Sequence, residues 1–570
     1  MADKRFIRNT AMLFGAMAVT KIVGAVFKIP LANVLGGTGM GYFSAAYSLY
    51  SPVFAVTAAG IPTVVMRATA RELAAERPKN ALKLKRTAMM LFTLLGAAGM
   101  IAIWMLSGIF AEHIICSDES RAAIIAIAPA VLFCCTASVI RGYYEGCNNV
   151  IPTAVANITE AVSRAAIGLV LAYGTVFYAK YCFENELLFF GRSFSSYEQA
   201  YSDSLPVAAA AAILSVTLSE LCGLIALVIH DRRCPVSSMK PENRPADRYR
   251  TIAAELLKEL FPVAAFALVM NCFSFVDLMT VTRSLNRALD TDMQYFCIAF
   301  PEMMSTLHGS EDIANFMYGS YTGIAMSLFM LIPSFAGMPE RTVMPEIAYA
   351  WEKKDIAAVR NKSRFLIRAS AMIGYPACFG AAALAEPILK VLYSSRTAEI
   401  SVCLDAFTVL CSVGMMMVTA SCFSGIFQAI GKAHIPLFLM CGAVALKSIL
   451  NPLLINISQI NISGAAIATA ASYTAVTAVG LLLLKRYISG FGILSGIIKP
   501  MIGGAVCAFA ARMCYDAISM HCNGLLSTAF SVVTGGIIYV LSLILTGFFR
   551  TKPIRKQEKP KKIRKGVAKS

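Results

Sequence analysis

Four basic residues stand in stretches of this chain that are otherwise apolar: Lys21, Lys28, Arg164 and Lys447. A cation at the centre of a bilayer is penalised by roughly 3 kcal/mol on insertion scales, so it is retained where it faces a watery cavity or an opposite charge. Lys21 and Lys28 are seven residues apart, two helical turns, and so fall along one face of a helix. Carboxylates occupy similar runs. Glu160 precedes Arg164 by four residues, the spacing of a neutralising helical pair, and the alternative is that both line the cavity. Glu220 could bind a coupling cation or meet a neighbouring hydroxyl. Asp277, followed by Arg283, reads either as a gate that pairs with a lysine in one state or as a fixed salt bridge. The surplus of cations predicts a polar path through lipid for an anionic passenger.

Those residues need elements that cross a membrane, and the composition supplies them. The chain has 570 residues, 57% hydrophobic and only 15% charged, with a mean hydropathy of +0.66. That excludes a soluble domain. Stretches such as Ala11 to Pro30, Thr87 to Phe110, Val207 to Ile229 and Leu525 to Phe549 approach or exceed the ~20 residues a spanning helix needs, and ~14 such spans are expected. The first is too long for a cleaved signal, holds Lys21 and Lys28, and is expected to remain. The net charge of +18 sits in loops: a basic set from Arg67 to Arg86, the segment DRRCPVSSMKPENRPADRYR, and the tail RTKPIRKQEKPKKIRKGVAKS. Intervening loops carry Glu112, Asp118, Glu119, Glu184, Glu186, Glu198, Asp203, Asp290, Asp292, Glu302, Glu311 and Asp312. The positive-inside rule places the basic set, and with an even span count both termini, in the cytoplasm. The tail reads as a topology anchor attracted to anionic lipid headgroups rather than a nucleic-acid binder.

Enzymatic and metal chemistry find no footing. The 17 cysteines scatter through apolar runs without CxxC or Cys/His ligand spacing, and the 5 histidines share none either. A GxxxxGK[ST] phosphate loop is absent, so direct ATP hydrolysis is not expected.

The chain contains an internal duplication. RGYYEGCNNVIPTAVANITEAVSR after the fourth span answers SGIFQAIGKAHIPLFLMCGAVALK after the tenth. Each has a glycine (Gly142, Gly425), a Glu or Gln three residues on (Glu145, Gln428) and a helix-opening proline (Pro152, Pro436). Each then places a base, Arg164 twelve residues after its proline and Lys447 eleven after its own. A second echo matches Gly60-Ile61-Pro62 to Gly337-Met338-Pro339. The expected organisation is all-α and polytopic: an N-terminal six-helix bundle over 1–230, a basic cytoplasmic linker over 231–250, a C-terminal six-helix bundle over 251–486, two additional helices over 487–549 and a basic tail over 550–570. Even span numbers make the halves parallel repeats. Gly60 and Pro62 are candidate hinges. Tyr42, Phe43, Tyr47 and Tyr50 form an aromatic belt or packing face.

The opening KIVGAVFKIPLANVLGGTGMGYFSAAYSLYSPVFAVTAAGIPTVV resembles the first two helices of the stage V sporulation protein B group of polysaccharide exporters, relatives of the MurJ-type lipid II flippases. The resemblance continues through RGYYEGCNNVIPTAVANITEAVSR, FVDLMTVTRSL, YGSYTGIAMSLFMLIPSFAG, FQAIGKAHIP and INISGAAIATAASY. It implies the multidrug/oligosaccharidyl-lipid/polysaccharide (MOP) exporter fold, with a central cavity that alternates between membrane faces, and an undecaprenyl-pyrophosphate-linked sugar precursor as substrate. Lys21 and Lys28 match basic positions of that family, usually arginine in MurJ-type proteins, and by resemblance would contact the diphosphate. Lysine brings a point charge where arginine brings a bidentate fork. Asp277 matches an acidic position of the seventh helix. The second helix, VFAVTAAGIP, lacks the basic residue of some MurJ-type flippases, and Glu340 and Arg341 replace small residues.

The expected function is therefore a flippase in the bacterial cytoplasmic membrane that moves lipid II or a related lipid-linked glycan outward by alternating access, without covalent chemistry. Arg164 and Lys447 join Lys21 and Lys28 as candidate substrate contacts. No cofactor is expected, and membrane potential or a monovalent cation gradient could supply direction. Membrane lipids and cell-wall synthesis proteins are the other expected partners, and nucleic acid is not one. A cation-coupled multidrug or metabolite antiporter of the same superfamily is the first rival, and would want an acidic cavity. An integral-membrane glycosyltransferase is the second, and would want a catalytic acid/base group and a substantial outer loop.

Overall fold

With no water in the bilayer core to satisfy stray backbone groups, apolar runs of this length close their hydrogen bonds within helices. The computed structural model describes residues 2–54, 60–115, 119–233, 248–307, 310–488 and 494–548, and among them there is helix and one isolated β-bridge, Phe189 with Arg192. The first half holds α1 (Ala2–Phe54), α2 (Ile61–Ala74), α3 (Pro78–Ile109), α4 (Ser120–Gly146), α5 (Ile151–Glu184) and α6 (Tyr197–Arg233). The second begins with α7 (Tyr249–Ala299) and the short α8 (Pro301–Thr306). A broken helix follows: α9 (Ser310–Gly319), a π-helical segment (Ser320–Met326), α10 (Ser327–Phe329), α11 (Leu331–Ala336) and α12 (Met338–Glu352). Then come α13 (Ile356–Ala383), α14 (Ala385–Leu392), α15 (Thr397–Ala429), α16 (His434–Ile455), α17 (Ser463–Tyr487), α18 (Leu494–Ile518) and α19 (Gly524–Leu545). The 14 spans expected compare with 12 helices long and apolar enough to cross a membrane among the described residues, or 13 if Tyr249–Val269 and Asn271–Ala299, bent by 43°, count as one. Most of the 231–250 linker and the whole 550–570 tail lie outside the described residues.

Prolines open α2, α3, α5, α8 and α12, where the missing N–H has no helical partner to lose. α1 breaks at Gly36, whose φ of 59° and ψ of −168° suit glycine alone among common residues.

Because lipid tails are as apolar as leucine, spanning helices associate through close packing of small residues. α6 presents Ala208, Ala209 and Ala212, all fully buried, and Gly168 of α5 leaves room for Phe27 and Ser215. Large apolar side chains point outward instead, among them Val170, Phe177, Phe438, Leu482 and Leu545. Gly142 of α4 sits on the first turn of α2, where a Cβ would meet the Pro62 carbonyl, and Gly425 of α15 sits on the first turn of α12, where a Cβ would strike Glu340. Between the halves, Gly37 and Gly41 of α1 face Gly319, and Gly323 faces the Met40 side chain: a Cβ on Gly319 would collide with the Gly37 carbonyl, and one on Gly41 with Asn315.

Candidate functional site

Charged side chains inside the first half gather from four helices. Arg141 of α4 donates to Glu160 of α5, and Gly223 of α6 makes the space that Glu160 fills. One turn further along α5, Arg164 donates to Ser219 Oγ and Glu220 Oε1 of α6, each at 3.2 Å. Of the two alternatives for Glu160 and Arg164, the direct i, i+4 ion pair is not the one formed: each side chain reaches a partner on a neighbouring helix, Arg141 for Glu160 and Glu220 for Arg164. The second oxygen of Glu220 and Nε of Arg141 are buried without a hydrogen-bond partner.

Lys28 of α1 completes the group. It is exposed, its Nζ donates to Ser327 Oγ of the second half at 3.2 Å, and it lies close enough to Arg164 for the two charges to repel. Its ammonium therefore bridges from the first half to the second. Tyr47 and Tyr50, on the returning part of α1, stand near Arg164. Lys28, Arg141 and Arg164 against Glu160 and Glu220 leave one positive charge over. Lys21 stands two turns before Lys28 and is partly exposed.

Lys447 belongs to a different cluster. It is 1% exposed in α16, donates to Asp277 Oδ2 of α7 at 2.7 Å and lies 5.2 Å from the centre of the Phe273 ring. Asn451 donates to Asp277 Oδ1 at 3.0 Å and to Thr280 Oγ1 at 2.8 Å. The four basic residues expected at one site are thus divided, with Lys447 buried and ion-paired to Asp277 inside the second half. Arg283 is exposed further along α7. Gly60 is buried just before α2, where a Cβ would come within 2.8 Å of Leu260 of α7, and Pro62 lies in the first turn of α2. Glu340 accepts from Ser421 Oγ at 2.8 Å, and the Arg341 side chain lies outside the described residues.

Sequence reasoning missed Arg141. It stands in the motif RGYYEG, which reads as the end of a span, and only its position opposite Glu160 reveals its place. Among the described residues no cluster of three or more His, Cys, Asp or Glu could hold a metal ion.

Comparison with known proteins bears on both halves. A family model described as polysaccharide biosynthesis protein matches residues 6–183, and one described as lipid II flippase MurJ matches residues 313–534. Lipid II flippase MurJ of Bacillus subtilis (strain 168) is 20% identical, covering 96% of this chain and 99% of its own. Stage V sporulation protein B of the same organism is 21% identical, covering 98% of each chain. Among solved structures, a lipid II flippase MurJ in an inward closed conformation is similar with a TM-score of 0.66 at 13% identity, covering 94% of this chain and 99% of its own. An inward-facing multidrug resistance MATE family transporter of the MOP superfamily gives 0.60 at 14%, covering 83% and 95%. The resemblance read from the motifs therefore stands along nearly the whole chain, and the fold is that shared by these transporters. Flippases and transporters, rather than enzymes, are its relatives.

Proposed function

We propose, for a multi-pass membrane protein with the fold of the MOP superfamily and a resemblance to MurJ-type flippases and stage V sporulation protein B, that the chain moves an undecaprenyl-pyrophosphate-linked glycan precursor from the inner to the outer leaflet by alternating access. The observation that carries this reading is the excess positive charge of Lys28, Arg141 and Arg164 inside the first half, with Lys28 reaching Ser327 of the second, in apolar helices where an uncompensated cation is costly. A diphosphate cannot enter hydrocarbon bare, a glycan needs water, and a polyprenyl tail can stay in lipid. Lys28 offers a first contact because its ammonium is open, and Arg164 offers a second by exchanging Glu220 for a phosphate oxygen. Lys21 lies on the approach.

Counting α1 as two crossings separated at Gly36 brings the number to 14, six in each half and two at the C-terminal end, with both termini on the basic cytoplasmic face. The like seats of Gly142 on α2 and Gly425 on α12 support two related bundles, bounded near 230 and 251. Gly60 and Pro62, where α2 meets α7, are the proposed hinge, and membrane potential or a monovalent cation gradient the proposed drive. Buried Glu160 and Glu220, with the fold shared with a MATE transporter, support a second reading as a cation-coupled antiporter.

Depletion of the protein followed by assay of each leaflet separates the two. Accumulation of a lipid-linked precursor on the inner leaflet supports the flippase. A rise in drug susceptibility without such accumulation supports the antiporter.

A further inference from the structure

The break in α1 is held by residues more than 350 positions away, and we infer that Arg396 and Glu399 form the latch that keeps the acidic-loop end of the molecule closed. A helix interrupted at Gly36 leaves carbonyls at the end of its first segment and amides at the start of the next, with partial negative and positive charge respectively. Arg396, just before α15, meets the first: Nε donates to the Asn33 carbonyl at 3.1 Å, and Nη2 to the carbonyls of Asn33 at 2.6 Å and Val34 at 3.2 Å. Glu399, in the first turn of α15, meets the second, accepting from the Gly37 amide at 3.0 Å. The two side chains also pair with each other at 3.6 Å.

Tyr201 of α6 closes the group by accepting from Arg396 at 2.7 Å and donating to the Val34 carbonyl at 2.9 Å. Asn33 donates in turn to the Leu392 carbonyl at 3.0 Å. A side chain at position 36 would meet Arg396, Glu399 and Tyr201 at once, so glycine is required by space as well as by φ.

The position gives the latch its role. It joins α1 and α6 of the first half to α15 of the second, and the glycine seam of Gly37 and Gly41 with Gly319 continues directly from it. Arg396 and Glu399 have side chains only 19% and 5% exposed, so water does little to screen them. Lys28 lies eight residues before Gly36 on the same helical segment, about 12 Å along its axis. A ligand that pulls on Lys28 therefore strains the carbonyls that Arg396 holds. Opening toward this face requires Arg396 and Glu399 to leave the two helix ends together. The role in transport rests on the alternating-access reading; the contact and its test need no substrate.

Hydrogen exchange read by mass spectrometry on the full chain in lipid nanodiscs tests the contact. Exchange across residues 33–41 should rise about tenfold in Glu399→Ala and in Arg396→Lys, the latter keeping the charge while losing the fork of donors. In vesicles, Ser327→Cys, buried beside Lys28 where the halves meet, reports opening through its labelling by a membrane-impermeant maleimide, over that of the chain with native Ser327. Adding Glu399→Ala should raise labelling several-fold from the outer side only. Unchanged exchange in both variants, or a rise from the cytoplasmic side, overturns the latch. Loss of precursor transport with a normal latch response would instead count against the proposed substrate.

Discussion

At the scale of single residues, an open cation and a sealed one predict opposite phenotypes. Lys28 is exposed and bound by one hydroxyl, so Lys28→Ala should leave stability within about 0.5 kcal/mol and still lower transport, read as precursor held on the inner leaflet. Lys28→Arg should retain most activity, since charge and reach survive. Lys447 is sealed against Asp277, and Lys447→Met should cost about 3–5 kcal/mol by leaving a buried carboxylate alone. A double variant that also replaces Asp277 with Leu should recover most of that loss in a thermal melt. Recovery of folding without recovery of transport would give the pair a functional part.

At an exposed position the same chemistry is worth little. Lys390 donates to Glu386 at 2.7 Å and holds its carboxyl below the usual value. The gain is present above the unfolded carboxyl's pKa of ~4.3 and lost as pH falls through the lower folded value. With both side chains largely in solvent, it amounts to no more than a few tenths of a kcal/mol. Glu386→Gln should therefore melt within about 1 °C of the native chain at neutral pH, and the small difference should vanish in acid.

At the scale of elements, glycines test the seam between the halves. Gly319→Ala drives a Cβ into the Gly37 carbonyl and should destabilise by about 1–3 kcal/mol. Gly174→Ala in α5 meets nothing within 4 Å and should be neutral or stabilising by up to about 1 kcal/mol, because alanine is the better helix former. Thermal unfolding of the two variants checks both.

The long helices and their proline starts were readable because hydropathy and proline chemistry act locally. The partner of Glu160 was not. A spacing of four residues suggested Arg164, while the ion pair formed with Arg141 on another helix, which no local pattern encodes. Gly36 stood in a visible Gly-Gly pair within an apolar run, yet nothing near it foretold a break capped by Arg396. Contacts between distant helices are written in packing: Gly142 and Gly425 were legible as marks of the duplication, and their seats on α2 and α12 were not.

For the whole molecule, the two ends are held together by contacts of unequal kind. On the basic side, Arg71 of α2 reaches Glu255 and Glu259 of α7 at 2.9 Å and 3.3 Å, with 53% of its side chain in solvent. Such pairs contribute about 0–1 kcal/mol and are screened within ~3 Å at 1 M salt. The Arg396 and Glu399 contacts at the other end are dry. Raising salt to about 1 M should therefore increase maleimide labelling of Ser327→Cys from the basic side while exchange at residues 33–41 stays constant. Equal responses at both ends would contradict the asymmetry.

The π-helical turn at Ser320–Met326 has a mechanical implication. A π-helix carries a surplus residue relative to the tighter spiral around it. Were that surplus absorbed, everything beyond it would corkscrew by about 100°, one residue's worth of rotation, and Ser327 would swing off Lys28 without any helix having to melt. Excising Ile324 would lock the screw in its wound setting, and the resulting chain should insert and fold normally yet stall in moving cargo.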